Sequence, residues 1–242
     1  MTNFKLTIAY DGTDFQGWQI QPTGRTIQGT IEKALEKLIN QKVKIIGAGR
    51  TDAGVHASAQ VANFKADLKI EINLLPKALN ATLPHDIRIL KVEIVDDNFH
   101  ARKMAKSKIY QYRILNSQIV SPFLFRYVLH YPYHLNIKKM KEAAKLFVGE
   151  KDLSSFSSSQ MRNKIRRMLR SEISQSGEEI IYLIEANGFL RYMVRTIVGT
   201  LLEVGRGKIK PEFLKEIFVK KDRSLAGPTA PAKGLCLERV VY

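Results

Sequence analysis

Apolar positions in the first part of the chain follow two different periods. Residues 4–10 place an apolar side chain at every second position, which predicts a half-buried strand. After a turn-rich stretch over residues 11–21, apolar residues recur at helical spacing behind a Thr26 cap, which predicts an amphipathic helix to about Asn40. The other elements predicted here are strands over residues 43–47, 59–64 and 87–95 and a short helix over residues 74–79.

The second part of the chain shows the same mixture of periods. A strand pattern over residues 108–115 is followed by a helical pattern over residues 137–148 that stops at Gly149. Residues 167–174 and 180–186 read as a hairpin that turns at Ser176 and Gly177. The remaining predictions are a serine-rich loop over residues 154–159, a helix over residues 188–204, a helix from Pro211, a loop over residues 226–234 and a closing strand over residues 235–242.

This order of elements indicates the fold class. Strands and helices follow one another irregularly, with hairpin-like neighbours, so the pattern favours an α+β fold with a largely antiparallel sheet. No low-complexity linker interrupts the chain. We expect an N-terminal lobe over residues 1–105 and a basic C-terminal lobe over residues 106–242.

Charge narrows the classes of partner. The formal net charge is +16. Residues 1–105 hold 14 Lys and Arg against 11 Asp and Glu, a net +3, whereas residues 106–242 hold 25 against 12, a net +13. An excess of this size favours a polyanionic partner, with nucleic acid before an anionic membrane, while a solvated basic surface is the alternative.

Other classes of protein fit the composition poorly. A single cysteine, Cys236, excludes an internal disulfide and a cysteine-rich zinc site, and the five histidines lack ligand spacing, so we expect no metal. No apolar run reaches the roughly 18 residues of a transmembrane helix, and residues 1–10 lack a signal-peptide pattern. We therefore expect a cytoplasmic protein without a membrane partner.

A glycine-dense loop over residues 47–57 carries the strongest candidate chemistry. It holds the carboxylate of Asp52 beside the guanidinium of Arg50. Its glycines do not fit a dinucleotide-binding loop, and it lacks the Gly-Lys-Ser/Thr ending of a P-loop. A structural ion pair is one interpretation of Arg50 and Asp52; a preorganised catalytic carboxylate is the other, and the glycine density favours it.

Five segments, taken in order, resemble the TruA family of tRNA pseudouridine synthases. The first is Tyr10-Asp11-Gly12-Thr13 with Gly17-Trp18-Gln19, and the second is Gly49-Arg50-Thr51-Asp52-Ala53-Gly54-Val55-His56-Ala57. The others are Lys108-Ile109-Tyr110-Gln111-Tyr112, Asn187-Gly188-Phe189-Leu190-Arg191-Tyr192-Met193-Val194-Arg195 and Ala226-Gly227-Pro228-Thr229-Ala230-Pro231-Ala232. Because these segments extend from residue 10 to beyond residue 230, the resemblance covers nearly the whole chain.

The resemblance implies a fold and an activity. The fold would be two-lobed, with one sheet running through both lobes, helices packed on it and a basic cleft between the lobes. The protein would be a homodimer that uses neither metal nor cofactor. Its substrate would be tRNA, with uridines thirty-eight, thirty-nine and forty of the anticodon arm isomerised to pseudouridine.

The resemblance also assigns residues to the chemistry. Asp52 would be the catalytic carboxylate, either as a nucleophile on ribose C1′ or as a base that removes a ribose proton. Arg195 or Arg50 would keep that carboxylate ionised; we expect Arg195 to do so and Arg50 to lie near the phosphates. Tyr110 would stack on the target base, and Tyr112, on the same face of the strand, is the alternative.

RNA binding needs further contacts. A paired target base must leave its stack, and His56, Gln60 and Phe64 are candidates to fill the vacated space. Cations crowd residues 162–170 and form a candidate phosphate-contact strip: Arg162, Lys164, Arg166, Arg167 and Arg170. Two other classes stay open, a non-catalytic RNA-binding protein and another base-modifying enzyme such as a methyltransferase. A carboxylate on an RNA-facing loop argues against the former, and the lack of an adenosine-cofactor loop against the latter.

Overall fold

The computed structural model describes residues 1–68 and 70–242. The strands are β1 (Thr2–Tyr10), β2 (Ile46–Gly47), β3 (His56–Ala66), β4 (Ile87–Val95), β5 (Ser107–Leu115), β6 (Leu129–His130), β7 (Gly149–Asp152), β8 (Ile165–Ser176), β9 (Glu179–Ala186) and β10 (Leu235–Val241). The helices are α1 (Ile27–Ile39), α2 (Leu75–Thr82), α3 (Ile137–Lys145), α4 (Met193–Gly205) and α5 (Leu214–Lys220). Short 3₁₀ turns cover Ser154–Phe156, Pro211–Phe213, Arg223–Leu225 and Ala232–Gly234. The predicted α+β class is confirmed.

Two compact units make up the chain. The first consists of Met1–Lys106 with Cys236–Tyr242, and the second of Ser107–Leu235. The sheet continuity between lobes and the basic cleft that the resemblance implies stay predictions.

The first unit is built on a sheet with strand order β4-β1-β3-β10. β1 pairs antiparallel with both β3 and β4, and β10 joins β3 in parallel through Cys236↔His56 and Leu237↔Ala57. Helix α1 begins where predicted, because the Thr26 hydroxyl accepts a hydrogen bond from the Gly29 N–H over 3.3 Å. Its buried residues, Ile27, Ile31, Ala34 and Leu35, follow the helical period of the sequence.

The second unit has the strand order β5-β9-β8-β7, and all three of these pairings are antiparallel. The predicted hairpin is confirmed: β8 turns into β9 with Ser176 opposite Glu179, and Gly177 takes a φ of 57°. Helices α3 and α4 contribute Met140, Met193 and Ile197 to the buried interior, and Phe147, just after α3, is buried with them.

Several predicted boundaries differ from the structure by a few residues, and two of these differences have a cause in the contacts. The strand predicted over residues 43–47 shrinks to Ile46–Gly47, because the Ile45 N–H bonds the Glu32 carboxylate at 2.9 Å and Gln28 bonds the Ile45 carbonyl at 3.3 Å. Helix α4 begins at Met193 instead of Gly188, since Tyr192 has a left-handed backbone that interrupts the helix.

Candidate active site

The Asp52 loop, residues 49–57, leads into β3 and is fixed mainly through its backbone. The Asp52 carbonyl accepts the Val55 N–H at 3.2 Å, which closes a tight turn. The buried Thr51 side chain meets the Tyr10 hydroxyl at 2.8 Å, and the Thr51 carbonyl accepts the Trp18 N–H at 3.1 Å. Asp52 itself is half-buried. The loop therefore holds its carboxylate on a backbone that is anchored on both sides.

The first TruA-like segment lies against this loop and supports it. Gly17 has a φ of +89°, and a Cβ there would lie 2.6 Å from the Thr51 carbonyl oxygen. No larger residue fits that approach without displacing backbone. Asp11 accepts hydrogen bonds from the N–H and hydroxyl of Thr13 at 3.0 and 2.6 Å, which makes the Asp-Gly pair a structural turn. Trp18 is a core residue with 2% exposure.

His56 lies underneath the loop. The residue is 6% exposed, the Gly12 N–H donates to Nδ1 over 3.1 Å, and the same nitrogen lies 3.2 Å from Asp11 Oδ1. Such burial ties the end of the loop to the Asp11 turn and favours a supporting role over contact with RNA.

The other two candidates for filling the vacated stack are also interior. Gln60 is fully buried and donates to the Gly49 carbonyl at 3.0 Å, while Phe64 stacks on Phe4 at 5.3 Å between ring centroids. Because neither side chain reaches the surface, their burial argues against entry of Gln60 or Phe64 into the RNA. Sequence distance alone could not distinguish a strand residue that faces inward from one on the rim.

In the second unit, the two candidate tyrosines have different surroundings. Tyr112 is fully buried and its hydroxyl donates to the Pro231 carbonyl over 2.8 Å; burial raises the pKa of Tyr112 well above its ordinary value, against a smaller lowering by Arg195. Tyr110 is 6% exposed, and its ring meets Phe189 edge-on with centroids 4.9 Å apart. Tyr112 is thus committed to holding the loop over residues 226–232, and Tyr110 contacts a different TruA-like segment.

Arg195 projects from the first turn of α4 and is held by that same loop. Its Nε donates to the Ala230 carbonyl over 2.7 Å, and the Ala230 N–H donates back to the Arg195 carbonyl over 3.0 Å. The loop lies directly on α4: a Cβ at Gly199 would be 1.6 Å from the Pro228 carbonyl oxygen. The N–H of Gly227 also donates to the Thr200 hydroxyl over 2.9 Å. Three distant TruA-like segments therefore meet in this unit.

The predicted cation strip is divided by the strand that carries it. Met168 pairs with Ala186 and Ala186 with Lys108, so these residues share one face of the sheet with Tyr110. Arg166, two residues before Met168, lies on that face, and its side chain comes within 3.6 Å of a Cβ placed on Gly188. Arg167 lies on the opposite face. The two arginines cannot contact the same stretch of phosphates from one side.

The arginines proposed to contact phosphates differ in how exposed they are to solvent. Arg50 and Arg162 are exposed, whereas Arg166 is half-buried and donates from Nη1 to the Ile165 carbonyl at 2.6 Å. Burial lowers the pKa of Arg166 from its ordinary value, yet a guanidinium keeps its charge at neutral pH.

Sequence reasoning assigned no role to one residue beside Arg195. Tyr192 lies between Arg191 and Arg195, with ring-to-guanidinium distances of 4.8 and 5.2 Å. The signal available in the sequence was its place in the segment that ends at Arg195. Within residues 1–68 and 70–242, no cluster of three or more His, Cys, Asp and Glu is arranged to hold a metal ion. No helix in these ranges combines the length and apolar character needed to cross a membrane.

Comparison with known proteins is consistent with these two clusters. A family model described as tRNA pseudouridine synthase matches residues 6–102 and 143–242. The tRNA pseudouridine synthase A of Thermodesulfovibrio yellowstonii is 47% identical over 254 residues, which include all of both chains. The tRNA pseudouridine synthase A 2 of Clostridium perfringens is 46% identical over 244 residues, again with both chains fully covered. The resemblance recognised in the sequence is confirmed, and the chain belongs to the tRNA pseudouridine synthase family.

Proposed function

We propose that this isomerase converts uridines thirty-eight, thirty-nine and forty in the anticodon arm of tRNA to pseudouridine, with Asp52 as its catalytic carboxylate. The observation that carries the proposal is the anchoring of the Asp52 loop. Its turn is bonded to Tyr10 and Trp18 on one side, and His56 beneath it is bonded to Gly12. A loop held in this way keeps a carboxylate in one orientation, which an attack on a single ribose carbon requires.

The reaction is an internal exchange of bonds. The bond between base N1 and ribose C1′ breaks, the uracil turns, and C5 bonds to C1′; the C5 proton is then lost and N1 gains a proton. An ionised Asp52 can act on C1′ directly or remove a ribose proton to open an elimination route. Both routes need a carboxylate and no outside oxidant or group donor, so the proposed enzyme works without metal or cofactor.

Tyr110 and Arg195 are the proposed partners of Asp52. The hydroxyl of Tyr112 is occupied by Pro231, which supports Tyr110 as the tyrosine that stacks on the detached base and assists loss of the C5 proton. The fixed Nε bond of Arg195 to Ala230 supports a guanidinium of defined orientation, which would hold Asp52 ionised.

Capture of the tRNA rests on cations. Arg50 and Arg162 are exposed, and Arg166 shares a sheet face with Tyr110, which supports phosphate contacts near the target base. Arg167, on the other face, would contact a separate part of the tRNA. His56 contributes by supporting the Asp52 loop. The proposal also includes a homodimer in the cytoplasm, on the resemblance alone.

The decisive experiment replaces the carboxylate by its amide. Asp52→Asn keeps the shape of the side chain and removes its charge, so tritium release from tRNA labelled at uridine C5 should fall below a tenth of the parent rate. The tRNA Kd should stay within a few fold. Asp97→Asn, an exposed carboxylate of the same unit, is the matched control and should keep full turnover.

Two results would overturn the proposal. Turnover of Asp52→Asn at or above a tenth of the parent rate would remove Asp52 from the chemistry. Labelled uridines outside positions thirty-eight to forty that release tritium at equal rates would refute the substrate site while leaving the isomerase activity intact.

A further inference from the structure

Tyr192 has a backbone conformation that its local sequence does not explain. Three non-glycine residues have positive φ in the described ranges: Asn40 at 51°, Tyr192 at 61° and Lys221 at 53°. Asn40 and Lys221 end α1 and α5, where left-handed residues are common. Tyr192 instead precedes the first residue of α4, where an extended backbone is usual, and its side chain makes no capping bond there.

The ring of Tyr192 contacts two arginines that are near it in the chain. The guanidinium of Arg191 lies 4.8 Å and that of Arg195 lies 5.2 Å from the ring centroid. Both distances are within the range of a cation–π contact. Arg191 Nη2 also donates to the Tyr192 hydroxyl over 3.1 Å. A left-handed tyrosine away from a helix C-terminus points to a functional constraint on its surroundings.

The ring adds a restraint on Arg195. The Nε bond to Ala230 fixes one edge of the guanidinium, at 2.7 Å, whereas a contact with the flat face of the group acts on rotation of its plane. An aromatic face on one side limits that rotation. The long arginine side chain thereby loses its freedom before substrate binds instead of during the reaction.

We propose that Tyr192 is a positioning residue that orients the Arg195 guanidinium and so increases the turnover rate without contacting the reacting atoms. This inference rests on the proposed function, in which Arg195 is the partner of Asp52. The aromatic ring carries the effect, and the hydroxyl is dispensable to it. The competing role for a half-exposed tyrosine in an RNA-binding enzyme is stacking on a base, which would act on affinity.

Substitutions at Tyr192 separate the two roles. Tyr192→Phe keeps the ring and should stay within about twofold of the parent in single-turnover rate. Tyr192→Leu and Tyr192→Asn remove the ring and should slow single turnover by about 5- to 30-fold, the effect of one partly desolvated cation–π contact. The tRNA Kd should change by less than about twofold in all three. Asn tolerates a left-handed backbone, so it carries the test if the Leu variant does not fold.

A double-mutant cycle shows through which residue the ring acts. In an Arg195→Lys background the planar guanidinium is absent, and Tyr192→Leu should then cost less than about twofold. Tyr133→Leu, an exposed tyrosine of the same unit, should leave the rate unchanged in both backgrounds. An equal loss from Tyr192→Leu in both backgrounds would overturn the inference.

The remaining outcomes are also distinguishable. A weakened Kd with an unchanged single-turnover rate would assign the ring to RNA stacking, and unchanged rates in both ring-less variants would leave it no role; either result overturns the inference. Failure of the proposed function has a different signature, because Asp52→Asn would then remain active whatever residue occupies position 192.

Discussion

The close approach of α4 and the loop over residues 226–232 allows a quantitative test at Gly199. A Gly199→Ala substitution improves helix propensity, which alone would stabilise the unit by about 1 kcal/mol. The added Cβ would however lie 1.6 Å from the Pro228 carbonyl oxygen and 2.8 Å from its carbon. The added Cβ is fixed to the helix backbone, and the atoms that it meets are loop backbone. The clash is therefore relieved only if the loop moves away from the helix.

The cost of that movement can be estimated from the bonds that hold the loop. The buried Gly227 N–H would lose the Thr200 hydroxyl, and Ala230 would separate from Arg195. Loss of the Gly227 bond and of both bonds between Ala230 and Arg195, together with local overpacking, costs roughly 3 to 5 kcal/mol. After subtraction of the helix gain, we expect the free energy of unfolding to fall by about 2 to 4 kcal/mol.

Urea unfolding followed by circular dichroism measures this change, and a single-turnover assay at a temperature where both proteins are folded measures its effect on Arg195. The rate should fall by at least the roughly tenfold that corresponds to 1.4 kcal/mol, because the displaced loop carries the acceptor of the Arg195 Nε bond. Gly188→Ala is the control, since its Cβ would meet only the flexible Arg166 side chain at 3.6 Å. A Gly199→Ala protein as stable as the parent would refute the reasoning, because helix propensity would then outweigh the contact.

Two further predictions concern the tyrosines and the arginines. Tyr110→Phe should slow single turnover by roughly 10² to 10⁴, with little change in tRNA affinity. Tyr112→Phe should mainly lower the free energy of unfolding, by about 1 kcal/mol, because its bond to Pro231 is lost. A larger loss of rate from Tyr112→Phe than from Tyr110→Phe would make Tyr112 the catalytic tyrosine. Arg166→Ala should reduce the slope of log tRNA affinity against log salt concentration by roughly 0.7 to 0.9, and it should also slow single turnover. Arg167→Ala should reduce that slope by a similar amount at most. The single-turnover rate of tRNA bound to the Arg167→Ala variant should stay unchanged. If Arg167→Ala slows single turnover of bound tRNA and Arg166→Ala does not, the target base does not lie on the sheet face of Arg166.

Local patterns predicted those parts of the fold that local forces determine. The helix behind Thr26 and the hairpin at Gly177 follow from a capping hydroxyl and a left-handed turn, which act within a few residues. The strand predicted over residues 43–47 was wrong in length because a helix side chain, Glu32, takes the Ile45 N–H. The alternation of residues within the strand carries no information about this competing side chain.

In the candidate site too, the sequence predicted the features that depend on nearby residues and not those that depend on tertiary contacts. Motif order selected Asp52 and the segments around it. Motif order could not show that His56 points into the interior, because this depends on how the strand meets the Asp11 turn. Sequence proximity suggested that Arg166 and Arg167 act together, whereas pleating separates adjacent strand residues onto opposite faces. The role proposed for Tyr192 could not be predicted from the sequence, because it depends on where a left-handed backbone places the ring.

The parallel pairing of β10 with β3 has a consequence for biosynthesis. β3 begins at His56, directly after the Asp52 loop, and pairs with β1 on one edge. On its other edge, the start of β3 receives its neighbour from Cys236 and Leu237, which are translated after the whole second unit. During synthesis, that edge of β3 lacks its partner, and unpaired edges recruit other chains. Pairings between such distant positions also form slowly. The unit that carries Asp52 would therefore be the first to begin folding on the ribosome and the last to be completed.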